Sequence, residues 1–165
     1  MSGHFNSRGN TAFLKVKFDQ NLSAGEKLSG AEFEMTIDQY PEISVLIRST
    51  QIGAMGRSDV EDFGPMGMKF VQHGPLENSG EIACTAVETI AGPVLRMLQK
   101  VVKNKEYLDI TIRATPESTA GISAEGAAHR YEHCKLRSDV IDLSTEDQAA
   151  LVKPPFTIVY NWKDF

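Results

Sequence analysis

Two closely spaced histidines are the first candidates for chemistry. His129 and His133 lie four residues apart. On a helix this spacing is typical of zinc ligands, but residues 130–132 (RYE) favour a strand, where the two rings share a face two strand repeats apart. One ion would then need a third ligand from elsewhere, so we expect no metal site. The simpler interpretation is an exposed strand face that bears His129, Tyr131, His133, Lys135 and Arg137.

Cys134 is a candidate nucleophile, because a thiol beside a histidine can be activated to a thiolate. The alternation of its strand, however, places Cys134 on the inward face together with Leu136. Cys84 lies fifty residues away, and the chain has no CxxC motif. We therefore predict that both cysteines are small core residues and that neither binds zinc nor belongs to a disulfide framework.

Two carboxylates, Glu32 and Glu34, share one face of a predicted strand at about 7 Å, a spacing compatible with acid/base catalysis. The opposite face of that strand is a clean apolar pattern, so the simpler interpretation is a solvated polar face. If the chain were a small β-barrel enzyme or ligand-binding domain, its best site would combine Glu32 with His129 and His133.

Two glycine-rich stretches, residues 53–58 (GAMGRS) and 64–69 (GPMGMK), superficially resemble phosphate-binding loops. Neither has the GxxxxGK[ST] spacing that places a lysine and a hydroxyl on a nucleotide. We expect these glycines to supply positive φ angles for turns. The sequence thus predicts no catalytic, cofactor-binding or metal-binding residue, and we expect a protein that is not an enzyme and holds no cofactor.

Composition favours one ordinary globular domain over residues 1–165, with residues 1–10 as a polar N-terminal arm. The chain is 41% hydrophobic and 24% charged, and no stretch approaches the roughly 18 apolar residues of a membrane helix. We therefore expect a cytosolic protein when made. The net charge is −5 and the 17 basic residues are scattered, which argues against sequence-specific nucleic-acid binding.

Alternating apolar and polar residues predict a mainly β protein. The regular patterns cover residues 13–18, 31–37, 108–113 and 156–162, and weaker ones cover 43–52, 66–72, 81–87 and 129–137. Because most of these segments are apolar on one face only, we predict an antiparallel β-sandwich or barrel of about seven or eight strands.

One segment, Glu88 to Lys103, has helical periodicity, so we predict a single amphipathic helix with Thr89 as its N-cap and Pro93 in its first turn. Its apolar positions are Val94, Leu95, Leu98, Val101 and Val102. A short helical turn is predicted at residues 144–147. Long loops are predicted at Gly53 to Pro65 and at Pro116 to Gly126.

The order of these elements resembles that of phage tail tube proteins from contractile (myovirus-like) tails. The carboxy-terminal part carries most of the likeness, with YEHCKL at residues 131–136, SDVIDL at residues 138–143 and PPFTIVYNW at residues 154–162. The resemblance implies a virion structural protein that self-assembles into stacked hexameric rings, forming the inner tube that conducts DNA from the capsid into the host. Type VI secretion tubes are related in fold, so a secretion-system tube, a tail terminator or a baseplate component stays open as an alternative.

The resemblance also implies partners and a location. The partners are further copies of the chain together with tail sheath and baseplate proteins, and DNA passes through the lumen without specific binding. The protein resides in the virion tail after assembly in the host cytoplasm. An acidic lumen wall is compatible with Glu32, Glu34 and Asp109, whereas Lys15, Lys17 and Arg113 leave the lumen face open. The Gly53 to Pro65 loop is the predicted ring-to-ring contact.

Overall fold

The computed structural model describes residues 9–117, 119, 126 and 128–165. Its elements, in chain order, are α1 (Thr11–Ser23), β1 (Phe33–Ile37), a 3-10 helix (Pro41–Leu46), β2 (Ile47–Ser49), β3 (Arg57–Phe63), a 3-10 turn (Pro65–Gly67), β4 (Lys69–Leu76), β5 (Gly80–Ala86), α2 (Pro93–Asn104), β6 (Leu108–Ala114), β7 (Ala128–Ser138), β8 (Pro155–Tyr160) and β9 (Trp162–Lys163). The chain divides into two compact units at Ala31, the first containing α1 and the second containing every strand.

The second unit is built on a seven-stranded antiparallel sheet that is nearly closed into a barrel. Its strand order is β1-β6-β7-β8-β5-β2, and β9 pairs with β7. Alternate residues point inward, as in β8, where Phe156, Ile158 and Tyr160 are buried. The predicted mainly β, antiparallel architecture is therefore confirmed.

Seven of the eight predicted strand segments contain a strand, but Phe13 to Phe18 does not. This segment lies in α1, whose first turn is capped by the Asn10 side chain accepting a hydrogen bond from Phe13 N at 3.0 Å. A Lys15–Asp19 ion pair at 2.8 Å follows one turn later. No strand of the described residues pairs with this segment, and a helix, which satisfies its backbone groups internally, replaces the predicted strand. No residue of α1 is buried.

Helix α2 confirms the predicted amphipathic helix but begins later than expected. Thr89 is not its N-cap: the cap position is Gly92, in a left-handed conformation, and the helix starts at Pro93. The Glu88 carboxylate accepts hydrogen bonds from the backbone N–H groups of Val94 (3.3 Å) and Leu95 (2.6 Å), which satisfies two of the free donors of the first turn. The buried face is formed by Val94, Met97, Leu98 and Val101, while Val102 is exposed.

Three other segments differ from their predictions. In the segment 43–52, residues 43–46 belong to the 3-10 helix and only residues 47–49 form a strand. Residues 144–147 contain no helix. The predicted strand at 156–162 breaks at Asn161, whose side chain donates to the backbone O of His133 at 2.8 Å. After this break the inward position falls to Lys163 instead of Trp162.

The predicted polar arm, residues 1–10, lies outside the described residues except for Gly9 and Asn10. The predicted loop at Pro116 to Gly126 lies largely outside them as well. The single-domain organisation over residues 1–165 stays a prediction. Among the described residues, no helix has the length and apolar character needed to span a membrane.

Candidate functional site

Strands β3 and β4 form a separate two-stranded hairpin, and within the described part of the chain it pairs with no other strand. They join each other in antiparallel register from Arg57↔Leu76 to Phe63↔Lys69. The predicted loop at Gly53 to Pro65 is therefore wrong over residues 57–63, which form β3. Period-2 burial is missing there because neither face of the hairpin is covered.

The tip of the hairpin is apolar and exposed. Four large side chains, Phe63, Met66, Met68 and Phe70, are each more than 60% exposed, and Met66 is completely so. The turn is closed by a hydrogen bond from Gly64 N to Met68 O at 2.7 Å. Clustered exposed apolar side chains mark a surface that another molecule covers, and methionine adapts to irregular partner surfaces.

The base of the hairpin is fixed to the barrel through Gly53. Its backbone N donates to the Tyr131 hydroxyl at 2.8 Å, and its backbone O accepts from Lys163 Nζ at 2.9 Å. Gly53 and Gly80, which flank the two hairpin strands, both lie against the Tyr160 hydroxyl, where a Cβ would stand 2.4 Å and 2.5 Å away. Only glycine permits this close approach.

The anchor is formed by Gly53, Gly80, Tyr131, Tyr160 and Lys163, and it is a buried polar cluster. The two tyrosine rings lie 4.8 Å apart in a tilted arrangement, and burial raises the pKa of both hydroxyls. Lys163 is only 1% exposed, and burial lowers its pKa. The sequence analysis missed this cluster. The two glycines that flank the hairpin could have indicated a close backbone contact, but nothing in the sequence indicated that Lys163 is buried.

The outward face of β1, β6 and β7 carries paired charges. Glu34 contacts Arg113 at 2.6 Å, and Arg130 contacts Asp38 at 3.0 Å and Glu132 at 3.3 Å. Asp109, next to this network, accepts a hydrogen bond from the backbone N of His133 at 3.1 Å. Two arginines thus accompany the carboxylates, so this face is mixed in charge instead of uniformly acidic.

The structure does not bring together the residues that the sequence analysis considered as metal ligands or acid/base groups, His129, His133 and Glu32. His133 has a φ of 52° at an irregularity in the β6–β7 register, which shifts the alternation of β7. His129 and Tyr131 are consequently buried, whereas the interpretation of the sequence placed them on an exposed face with His133. Glu32 is exposed, just before β1, whereas His129 is buried in β7. In the parts of the chain that the structure describes, no three His, Cys, Asp or Glu side chains are grouped to hold a metal ion.

Both cysteines are buried and free, as predicted. Burial raises the pKa of the Cys84 thiol to about 11 and that of Cys134 to about 12. Both thiols are therefore protonated at neutral pH, which opposes a nucleophilic role. Of the four glycines in the two glycine-rich stretches, only Gly67, in the hairpin tip, has a positive φ, 76°. The expectation of positive φ angles is wrong for Gly53, Gly56 and Gly64.

No protein-family model matches the sequence, and a search of the curated proteins finds no significant match. Solved structures do match. A chain of the PVC extracellular contractile injection system, in its sheath–tube complex in the extended state, has a TM-score of 0.58 at 14% identity, covering 88% of this chain and 95% of that chain. A chain of the PVC sheath/tube terminator has a TM-score of 0.63 at 14% identity, over 84% and 96%.

A chain from the native gene transfer agent particle is also similar, with a TM-score of 0.53 at 12% identity over 81% of this chain and 94% of that chain. At these identities the likeness establishes the fold and not the activity. The protein therefore has a tail tube-like fold, as the resemblance in its sequence implied.

Proposed function

We propose that the protein is a non-enzymatic structural subunit of a phage or phage-like tail, and that it self-assembles into hexameric rings that stack into the inner tube. The observation that carries this proposal is the hairpin: a rigidly anchored projection with an uncovered apolar tip, on a tail tube-like barrel. A tip that contacts a different surface of an identical copy makes a head-to-tail contact, and repeated contacts of that kind produce rings or open filaments.

The hairpin tip is the proposed ring-to-ring contact. Burying one methionine or phenylalanine side chain contributes about 1.5–3 kcal/mol. Removing Met66 and Met68 from the contact should therefore weaken each ring-to-ring junction by roughly 3–6 kcal/mol, or a factor of at least about 100 in affinity. The M66S/M68S variant should form rings that no longer stack, whereas V140S, a change at an exposed valine outside the hairpin, should stack normally.

The remaining parts of the proposal follow from a tube. Its lumen would conduct DNA from the capsid into the host without specific binding, with sheath and baseplate proteins as the outer and end partners. The protein would be made in the host cytoplasm and reside in the virion tail. The mixed charges of the outward sheet face suit either the lumen wall or an interface with a partner. On a lumen wall, paired charges would neither bind nor strongly repel DNA phosphates that lie beyond the Debye length, about 8 Å.

A second candidate function is supported by the similarity to a sheath/tube terminator. A terminator, a baseplate component or a secretion-system tube would use the same fold with fewer stacking contacts or with a different cargo. Sedimentation and negative-stain microscopy over a series of protein concentrations separate a tube subunit, of a tail or of a secretion system, from a terminator or baseplate component. Hollow tubes that lengthen with concentration support the tube subunit, isolated rings that never polymerise support the terminator or baseplate component, and a monomer at every concentration overturns both.

A further inference from the structure

Helix α1 has no apolar face. Its large apolar side chains, Phe13, Leu14, Val16, Phe18 and Leu22, are each more than 50% exposed. At the angular spacing of an α-helix these positions are distributed around the whole circumference, so no single helix face can bury them together. The helix therefore leaves apolar surface that helical packing cannot cover efficiently.

Four of the five, Leu14, Val16, Phe18 and Leu22, share one face in an extended conformation, and Phe13 falls on the other. Leu14, Val16 and Phe18 then lie on one side, and Lys15 and Lys17 on the other. A helix of thirteen residues is also marginal without tertiary packing. The segment thus has the side-chain pattern of a strand but forms a helix with little tertiary packing to stabilise it. A conflict of this kind between sequence pattern and conformation is typical of functional segments.

At one edge of the barrel sheet, strand β1 has a free side that suits this segment. Among the strands of the described residues, β1 pairs only with β6. Thr115 N donates to Glu32 O and Asp38 N donates to Asp109 O, so the even-numbered residues of β1 direct their backbone groups toward β6. The backbone groups of Phe33 and Met35 consequently point to the free edge. The other edge, β2, has only three residues.

The side chains of this edge complement those of the segment. Phe33 and Met35 lie on the inward side of β1, and Glu32 and Glu34 on the outward side. A strand added beside β1 would extend the apolar layer with Leu14, Val16 and Phe18. Its two lysines would fall on the outward side beside the glutamates, and opposite charges on adjacent strands are stabilising. One alignment of the added strand beside β1 therefore places its apolar side chains on the inward side and its lysines on the outward side beside the glutamates.

We propose that residues 12–22 of one copy leave the helix on assembly and pair as a strand with β1 of a second copy. The inference rests on the proposed self-assembly, because the second copy supplies the edge. Hydrogen bonds to the free backbone groups of Phe33 and Met35 replace part of those that α1 loses, and the exposed side chains of Leu14, Val16 and Phe18 become buried along the neighbour's core. The strand also protects an edge that would otherwise pair indiscriminately.

A matched pair of substitutions tests the strand. Phe18 and Phe13 are equally exposed in the helix, at 57% and 56%, but they fall on opposite faces of a strand. The change F18A should raise the protein concentration needed for assembly by about tenfold or more, whereas F13A should change it by less than about threefold. Equal effects of the two changes would overturn the strand, and failure of the unmodified protein to assemble would instead overturn the proposed function.

Crosslinking identifies the partner. A K17C chain is mixed with an E34C chain, assembled and treated with a short bismaleimide, which tolerates a shift in register. The native cysteines are buried with raised pKa values, so they should react slowly. A K17C–E34C crosslink between the two chains is expected only in assemblies, and K103C, on the exposed side of α2, should give none. A crosslink formed within single K17C/E34C chains at high dilution would overturn the pairing between copies.

Discussion

Replacing Gly53 with alanine perturbs the contact that fixes the hairpin to the barrel. The added Cβ would stand 2.4 Å from the Tyr160 hydroxyl oxygen and 2.8 Å from Cζ of the same ring. Both separations are far inside van der Waals contact. The ring cannot move away easily, because Tyr160 is 2% exposed and packs against Tyr131 at 4.8 Å. The backbone at position 53 must therefore shift.

That shift has two energetic consequences. Overpacking of a buried site costs about 1–3 kcal/mol. Displacing Gly53 also weakens its hydrogen bonds to the Tyr131 hydroxyl and to Lys163 Nζ, each of which contributes about 1 kcal/mol. We expect G53A to lower the free energy of unfolding by about 2–4 kcal/mol. For a chain of this size the melting temperature should fall by about 5–15 °C.

Thermal and urea unfolding of four variants test this reasoning. Y160F removes the hydroxyl with which the added Cβ of G53A clashes. The loss of unfolding free energy in the double variant should therefore be about 1 kcal/mol smaller than the sum of the two single losses. G30A is the control, because no atom lies within 4 Å of its added Cβ and its φ is not positive, and it should be neutral or slightly stabilising. A G53A protein as stable as the unmodified one, or a double variant with no recovery, would refute the account of the anchor.

Two further predictions concern stability. E88A should lower the melting temperature by about 2–8 °C, because the carboxylate caps the first turn of α2 through Leu95 N at 2.6 Å, whereas E146A at an exposed site should have little effect. The free energy of unfolding should fall as pH rises above about 9, because the pKa values of Cys84 and Cys134 are raised to about 11 and about 12, so that the folded state retains protons which the unfolded chain releases. Urea titrations from pH 7 to 10 measure this slope; C134A should make it shallower, and an unchanged slope would contradict the assignment.

The alternation of apolar and polar residues predicted the barrel strands well because their inward side chains pack in the hydrophobic core. The patterns at residues 31–37 and 108–113 became β1 and β6, which are half-buried as the pattern requires. Strand β3 escaped prediction for the converse reason: its residues pack on no core, so no alternation is imposed on them. Alternation at residues 13–18 was read as a strand because a sequence pattern states which side chains could share a face but not whether a neighbouring strand is present.

The burial of Lys163 in the anchor and the burial of His129 both depend on local strand irregularities that cannot be recognised in the sequence. The left-handed backbone at His133 shifts the alternation of β7, and the break at Asn161 exchanges Trp162 for Lys163 on the inward side. Each of these two irregularities moves the residues that follow it to the opposite face of the sheet. The cysteines were nevertheless placed correctly, because Cys134 follows the irregularity and keeps its parity with Leu136.

The central claim is that the chain assembles into a hollow, ring-based tube. Electron cryomicroscopy of the purified protein at high concentration, with classification of end-on views, measures this most directly. We predict six-fold rings with an open lumen, stacked so that the hairpin tip around Met66 contacts the next ring. A protein that stays monomeric, or that forms assemblies without rotational symmetry or an open lumen, would contradict the proposal.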